Sequence, residues 1–133
     1  SEGLSSLSLS SKHLKMRHNF RELKIWQKGI ELSVEMHQLT RKFPAEEKFS
    51  LTSQIKRCSV SIPSNISEGS GRNTTKDFKH FLNMAYTSCL ELETQLIISN
   101  KLKYINDLEM TESINKVQEL QKMIFSFSKR LKE

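Results

Sequence analysis

Apolar residues between Phe20 and Lys42 recur with the period of an α-helix, and they occupy two opposite sides of it. One side consists of Leu23, Trp26, Ile30, Val34 and His37. The other side consists of Ile25, Gly29, Leu32, Met36, Leu39 and Phe43. A helix on the outside of a monomeric bundle needs only one apolar side. We therefore predict that this helix contacts its own bundle on one side and a second subunit on the other. The residues assigned to that oligomer interface are Ile25, Leu32, Met36, Leu39 and Phe43.

Three further segments have the helical period with one apolar side each. Phe43-Pro44 ends the first helix, because the residue before a proline is driven out of the helical conformation. The core positions of the second helix are Leu51, Ile55, Cys58, Ile62 and Ile66. Those of the third are Phe78, Phe81, Leu82, Ala85, Cys89, Leu92 and Leu96. Those of the fourth are Met110, Ile114, Val117, Leu120, Ile124, Phe127 and Leu131.

Residue types at the segment ends predict the helix boundaries. Thr74 or Thr75 caps the third helix, which we expect to run to about Tyr104. Asn106 or Asp107 begins the fourth. Four helices joined by short loops are typical of an antiparallel bundle. The sequence therefore predicts an all-α fold, an up-down-up-down antiparallel four-helix bundle.

The bundle domain is predicted to cover residues 16–133. Residues 1–15 are predicted to be a flexible leader, of artificial origin or from an alternative start, because they are rich in serine and lack helical periodicity. No apolar run is long enough to cross a membrane, and no secretory signal is recognisable. The two cysteines, Cys58 and Cys89, make neither a disulfide framework nor a metal-binding spacing, so we expect them to be buried thiols. Together these features predict a cytoplasmic protein without a membrane partner.

The net charge of +6 is unevenly distributed. Residues 1–76 carry thirteen Lys/Arg against seven Asp/Glu, whereas residues 77–133 carry eight against eight. A basic surface can bind nucleic acid or an acidic protein, although an ordinary solvated surface is the alternative interpretation. The predicted nucleic-acid-binding residues are Lys24, Lys28, Lys56, Arg57 and Arg72.

Candidate catalytic residues are few. The four histidines are scattered, and no Glu-x-x-His, His-Glu-x-x-His or Cys-x-x-Cys motif is present. Gly69-Ser70-Gly71-Arg72 lacks the preceding strand and the Lys-Ser/Thr ending of a phosphate-binding loop, and is better explained as the end of the second helix. We therefore predict no catalytic residue, no metal site and no cofactor, and a protein that is not an enzyme.

The segment around Pro63 is unusual for a helix. Proline removes one backbone hydrogen bond and predicts a kink, and Asn65 is placed to satisfy the carbonyl that Pro63 leaves free. Glu91 on the third helix is a candidate to pair with an arginine of the second helix or of a neighbouring subunit. Close helix packing and an anion or partner contact through Arg57 and Arg72 are both open interpretations. The predicted structural motif comprises Ser61, Pro63, Ser64, Asn65, Glu68 and Gly69.

The chain resembles the 23S rRNA-intervening-sequence proteins over about residues 18–127. The resemblance is carried by Phe20 to Lys28, by Leu51 to Arg57, by Ser61 to Gly69 with its Ser-Ile-Pro-Ser-Asn-Ile-x-Glu-Gly run, and by Glu91 to Leu96. Ser67 and Thr87 depart from the family pattern, in which alanine and glycine are expected. The resemblance implies a bacterial, left-handed four-helix bundle that assembles as a homopentameric ring. Related proteins of diversity-generating retroelements look like accessory proteins that bind a reverse transcriptase and nucleic acid.

Two functions follow as hypotheses. The first is a non-enzymatic, oligomeric nucleic-acid-binding protein that contacts structured RNA through its basic surface. The alternative is a ring-shaped protein–protein adaptor that docks a partner such as a reverse transcriptase. The resemblance supplies no catalytic residue to carry over.

Overall fold

The computed structural model of the protein describes residues 19–132, and within that range it contains four α-helices and no strand. The helices are α1 (Lys24–Leu39), α2 (Leu51–Ser70), α3 (Thr75–Lys101) and α4 (Asp107–Arg130). Single turns of 3-10 helix lie at Phe20–Glu22, Thr40–Lys42 and Ala45–Glu47. The predicted all-α fold with four helices is therefore confirmed. The leader predicted at residues 1–15 lies outside the described residues.

Side-chain caps begin the last two helices. The Thr74 hydroxyl accepts a hydrogen bond from the N–H of Asp77, at 3.1 Å, where α3 begins. At α4, Asn106 accepts from the N–H of Glu109 at 2.8 Å, and the Glu109 carboxylate accepts from the N–H of Asn106 at 2.9 Å. These bonds satisfy amides that no carbonyl within the helix can reach. Both caps are among the residues that the sequence predicts.

The α3–α4 connection begins earlier in the chain than predicted. α3 ends at Lys101, before the expected end at Tyr104. Lys103 adopts a left-handed backbone conformation, with φ of 64°. Because a left-handed residue cannot continue a right-handed helix, the chain turns there and releases Tyr104 from α3.

Tyr104 instead joins this connection to the one between α1 and α2. Its hydroxyl donates to the Glu47 carboxylate at 2.7 Å, and its ring lies 5.3 Å from that of Phe43. Hydrogen bonds from Ser50 and then from Tyr104 lower the pKa of Glu47. The same carboxylate raises the pKa of the Tyr104 hydroxyl, because the neutral phenol is the hydrogen-bond donor.

Contacts between neighbouring helices pair their residues in opposite chain order. The pairs are Gly29–Pro63 and Ser33–Ser59 between α1 and α2, Ser61–Ser88 and Gly69–Phe81 between α2 and α3, Phe78–Phe127 and Glu93–Gln118 between α3 and α4, and Lys28–Glu119 and Glu35–Lys116 between α1 and α4. Such contacts are those of antiparallel neighbours. They bring the start of α1, the α2–α3 turn and the end of α4 to the same end of the molecule.

The core is built from the apolar sides that the periodicity of α2, α3 and α4 predicts. The most completely buried apolar side chains of these three helices are Ile55, Ile62, Ile66, Leu82, Ala85, Cys89, Leu92, Leu96, Val117, Leu120 and Ile124. The remaining predicted positions of α4, such as Met110 and Phe127, are partly buried and pack against this core. No helix among residues 19–132 is long and apolar enough to cross a membrane.

The assignment of the oligomer interface to this side of α1 is wrong. Its residues lie in or against the protein's own core, where Ile25, Leu32, Met36 and Phe43 are buried and Leu39 is partly buried. They cannot contact a second subunit unless the core opens. The opposite side of α1 is the one that faces solvent, at Ile30 and Val34. Periodicity showed that both sides are apolar, but it carries no information on which side faces the bundle.

Glycines allow α2 to approach both of its neighbours closely. A Cβ atom on Gly29 would lie 3.2 Å from the Cβ of Pro63, which is buried inside α2. A Cβ atom on Gly69 would lie 2.7 Å from the Cβ of Phe81 on α3. The run Gly69-Ser70-Gly71-Arg72 was predicted to end α2, and this is confirmed: the helix ends at Ser70 with Gly71 as its C-cap, so Gly69 lies inside its last turn. The absence of a side chain at Gly69 therefore serves packing against α3.

Asn65 does not satisfy the carbonyl that Pro63 leaves free. Its side-chain amide donates to the backbone carbonyl of Ser61 at 2.8 Å. The carbonyl deprived of its helical partner by a proline lies four residues earlier, at Ser59. Ser64 and Glu68 of the predicted motif are exposed on the outer side of α2.

Candidate nucleic-acid interface

The five cations predicted to bind nucleic acid do not form one surface. Lys28 lies on the α4 side of α1, 3.3 Å from a glutamate of α4. Lys56 and Arg57 lie in the second turn of α2, and Arg57 lines a groove between α2 and α3. Lys24 and Arg72 lie at the end of the molecule where α1 begins and α2 turns into α3. The structure thus separates the predicted set into three places.

One end of the molecule, here called the basic end, gathers most of the excess positive charge. It comprises residues 19–26, 65–83 and 122–132, and it carries nine Lys/Arg against three Asp/Glu. The other described residues carry nine Lys/Arg against ten Asp/Glu. All nine cations of the basic end are exposed: Arg21, Lys24, Arg72, Lys76, Lys79, Lys122, Lys129, Arg130 and Lys132.

Packing contacts connect the segments of the basic end. The Phe78 ring of α3 lies 5.7 Å from the Phe127 ring of α4. The Thr75 hydroxyl, at the start of α3, donates to the backbone carbonyl of Lys132 at 3.0 Å. The Arg72 guanidinium lies 4.6 Å from the centre of the Phe81 ring. The cations of the α2–α3 turn and of the α4 terminus therefore share one surface.

Helix stability accounts for only part of this cluster. Lys129 and Arg130 lie in the last turn of α4, where the helix dipole favours positive charge. Lys24 is the first residue of α1 and Lys76 the second of α3, positions at which the dipole disfavours a cation. Stabilisation of the helices therefore does not explain why these lysines occur here.

Neighbouring carboxylates neutralise little of the charge. Of the ion pairs within residues 19–132, one involves a cation of the basic end, Arg72 with Glu68, at 3.9 Å. Both side chains are about half exposed, and a pair of that kind contributes roughly 0–1 kcal/mol. The basic end therefore presents its charge to solvent.

A hollow of about 540 Å³ opens in the basic end, between the start of α1 and the last turns of α4. Leu23, Met123 and Phe127 form part of its wall, and Lys24, Lys122 and Arg130 are its cations. Glu22 is its one acidic lining residue.

A second depression, of about 600 Å³, is the groove between α2 and α3. Arg57 and Glu91 line it, but none of the ion pairs in the described part of the chain joins Glu91 to an arginine of α2. The predicted alternative, a pair with an arginine of a neighbouring subunit, stays a prediction. Burial, with the nearby Glu91 charge, raises the pKa of the Cys58 thiol in this groove to about 12. Burial also raises the pKa of Cys89 to about 12. Both cysteines are buried as predicted and stay protonated at neutral pH, so neither is an activated nucleophile.

Among residues 19–132 no group of three His, Cys, Asp or Glu side chains is placed to hold a metal ion.

Sequence reasoning missed the cations contributed by α3 and α4. It compared the charge of residues 1–76 with that of residues 77–133 and found the second part neutral. In an antiparallel arrangement, however, Lys76 and Lys79 lie beside the last turns of α4. The signal was present in the run Lys129-Arg130-Leu131-Lys132, which is strongly basic.

The fold and this surface define a small four-helix protein with one strongly basic end. Residues 21–126 match the model of the 23S rRNA-intervening sequence protein family, so the chain belongs to that family and the resemblance is confirmed. Its fold is similar to the crystal structure of a protein of unknown function from the S23 ribosomal protein family of Bacteroides thetaiotaomicron VPI-5482. The TM-score is 0.73 at 28% sequence identity, over 79% of this chain and 95% of that chain. The comparison with curated proteins gives no match.

Proposed function

We propose that the protein is a non-enzymatic, oligomeric nucleic-acid-binding protein that contacts structured RNA through its basic end. The observation that carries the proposal is the separation of charge, with nine Lys/Arg against three Asp/Glu at the basic end and nine against ten in the rest of residues 19–132. Cations that neutralise phosphates release counterions, which drives binding. The family name links its members to intervening sequences of 23S rRNA, so a structured fragment of that RNA is the first ligand to test.

A comparison of two arginines tests where the RNA binds. Arg57 and Arg72 are both exposed and both were predicted to contact nucleic acid, but only Arg72 belongs to the basic end. Binding is measured by fluorescence anisotropy across a salt series. We expect Arg72→Glu to weaken binding and to lower the slope of log affinity against log salt by roughly 0.7–0.9, the contribution of one phosphate contact. Arg57→Glu, its matched control, should leave both quantities unchanged. Equal losses in the two variants would contradict a site at the basic end.

A pair of double variants distinguishes the effect of charge at the basic end on RNA binding from the effect of the protein's net charge. Lys76→Glu with Lys79→Glu reverses two exposed cations of the basic end, whereas Arg41→Glu with Lys101→Glu makes the same change of charge elsewhere. We expect the first variant to bind at least tenfold more weakly, at roughly 1–3 kcal/mol for two lost charge-assisted contacts. The second should stay within about twofold, because charges beyond a Debye length of about 8 Å are screened at physiological salt. A similar loss in both would show that only net charge attracts the RNA.

We also propose that the chain, as a left-handed up-down-up-down bundle, assembles into a homopentameric ring. The support is an apolar strip of exposed side chains, defined by Ile30 (39% exposed) and Val34 (51%) on α1 and Val60 (43%) on α2. The Gly29–Pro63 contact brings these parts of α1 and α2 side by side. A ring would present several basic ends at once, which raises avidity without any new contact.

The assembly is tested by light scattering during size-exclusion chromatography. We expect the wild type to elute with the mass of five subunits, and Ile30→Ser with Val34→Ser to elute as a smaller species, because exposed apolar area is what such an interface buries. Circular dichroism of the variant should match that of the wild type. An unchanged mass for the variant would refute the role of the strip.

The adaptor function remains the second candidate, and one observation favours it. Phe49 is 88% exposed at the end of the α2–α3 groove, where a large aromatic side chain gains nothing for the fold. A partner such as a reverse transcriptase would bury it. If RNA binding is lost at physiological salt, and Phe49→Ser abolishes binding to the reverse transcriptase of a diversity-generating retroelement, the adaptor function replaces the first proposal.

A further inference from the structure

The hollow in the basic end differs from the rest of the seam between α1 and α4. Elsewhere along that seam, three cations have a carboxylate partner across it: Lys28 with Glu119, Lys116 with Glu35, and Lys42, in the turn after α1, with Glu109. At the hollow, Lys24, Lys122 and Arg130 form no ion pair with any described residue. The fold therefore balances charge along the seam and leaves it unbalanced around this one opening.

The hollow has an apolar wall and a charged rim. Leu23, Ile25, Met123 and Phe127 line it, and all four pack in or against the hydrophobic core. Core contacts hold these side chains in place, so the wall exists before any ligand binds. A volume of about 540 Å³ lies within the roughly 300–1,000 Å³ typical of pockets that take a small organic ligand.

An apolar wall under a cationic rim fits a flat ring that carries a phosphate. A nucleotide has both parts, and its base becomes available for such a contact only when it is unstacked. The sole carboxylate of the lining, Glu22, would repel the phosphate and would accept a hydrogen bond from an exocyclic amino group of the base. Phosphate and base are therefore drawn to different parts of the hollow.

We propose that the hollow holds one unstacked nucleotide of single-stranded RNA. Its base would lie against Leu23, Met123 and Phe127, and its phosphate between Lys122 and Arg130. This inference rests on the proposed RNA binding at the basic end and adds a preference for a strand end, loop or bulge over a continuous duplex. Charge alone favours the duplex, because phosphates are denser there. A preference for the single strand therefore reports on the hollow.

The test fills the hollow without changing charge. Ser126 lines it and is exposed, so Ser126→Trp places an indole inside the hollow. Asn115→Trp puts the same side chain on an exposed position of α4 away from the hollow, and serves as the matched control. Both variants are first checked for an unchanged thermal midpoint. Binding is measured for a fluorescein-labelled single-stranded RNA and for a blunt RNA duplex of the same length.

The wild type is expected to bind the single strand more tightly than the duplex. Ser126→Trp should weaken single-strand binding by roughly tenfold, as expected for the loss of one base-stacking contact, and should leave duplex binding unchanged. Asn115→Trp should match the wild type with both ligands. Single-strand affinity unaffected by Ser126→Trp, with RNA binding otherwise intact, would overturn the hollow as the site and leave the proposed function standing. Failure of the wild type to bind either RNA would overturn both.

Discussion

Substitution of Gly69 by alanine tests the close packing of α2 against α3. An alanine Cβ would lie 2.7 Å from the Cβ of Phe81 and 2.9 Å from Cδ1 of Phe78, both closer than van der Waals contact allows. The Cβ of Phe81 is attached directly to the backbone of α3 and cannot rotate away. Relief therefore requires the two helices to move apart along their shared core. At an exposed helical position the same substitution would stabilise the protein, since alanine is the better helix former.

The two effects have opposite signs, and the packing effect should be larger. Overpacking of a tight core costs about 1–3 kcal/mol, and the upper value applies here because backbone has to move. The higher helix propensity of alanine relative to glycine stabilises the protein by about 1 kcal/mol. The expected net loss for Gly69→Ala is about 2 kcal/mol, which for a domain of this size lowers Tm by roughly 8 °C.

Two other glycines supply graded controls. At Gly71 the nearest atom to an added Cβ is the Glu68 carbonyl oxygen at 3.6 Å, an ordinary contact, so Gly71→Ala should leave Tm nearly unchanged. At Gly29 the nearest atom is 3.2 Å away, so Gly29→Ala should fall between the two. The assay is thermal and urea unfolding followed by circular dichroism at one protein concentration, because self-association makes Tm depend on concentration. A Tm for Gly69→Ala equal to or above that of Gly71→Ala would refute the packing argument.

Three further outcomes are expected. Because the pKa of Glu47 is lowered in the folded protein, its ionised carboxylate stabilises the fold at pH values above the ordinary pKa of 4.5, and this stabilisation is lost as pH falls through the folded-state pKa. Tyr104→Phe should therefore lower Tm at pH 7 and match the wild type in acid. A difference in Tm that stays constant down to pH 3 would contradict this. Asn106→Ala removes the α4 capping box and should cost about 1 kcal/mol in urea unfolding, whereas no change would show that the cap is dispensable. With pKa values of about 12, Cys58 and Cys89 should resist iodoacetamide at pH 8 in the folded protein and react once it is unfolded, as mass spectrometry can measure; fast labelling of the folded protein would refute their burial.

The sequence by itself determined the four helices and, for three of them, which side faces the core. Thr74 and Asn106 have side chains that cap a helix start, and that chemistry acts over three residues, so local sequence suffices. The apolar periodicity of α2, α3 and α4 identifies one core-facing side in each helix, because only that side can be buried without burying charge. Cys58 and Cys89 could be predicted as buried thiols for the same reason.

Only the tertiary structure decided how those elements are arranged around one another. α1 has two apolar sides, and only the packing of α2 and α4 against it determines that Met36 is buried while Val34 is exposed. Gly69 looks like a helix end in the sequence, yet its role comes from Phe81, which is close in space and not in the chain. The basic end likewise joins Lys24, Arg72 and Lys122, which only antiparallel packing brings together. Periodicity and caps depend on neighbours along the chain, whereas charge clusters and close contacts depend on distances through space, and those distances exist only after folding.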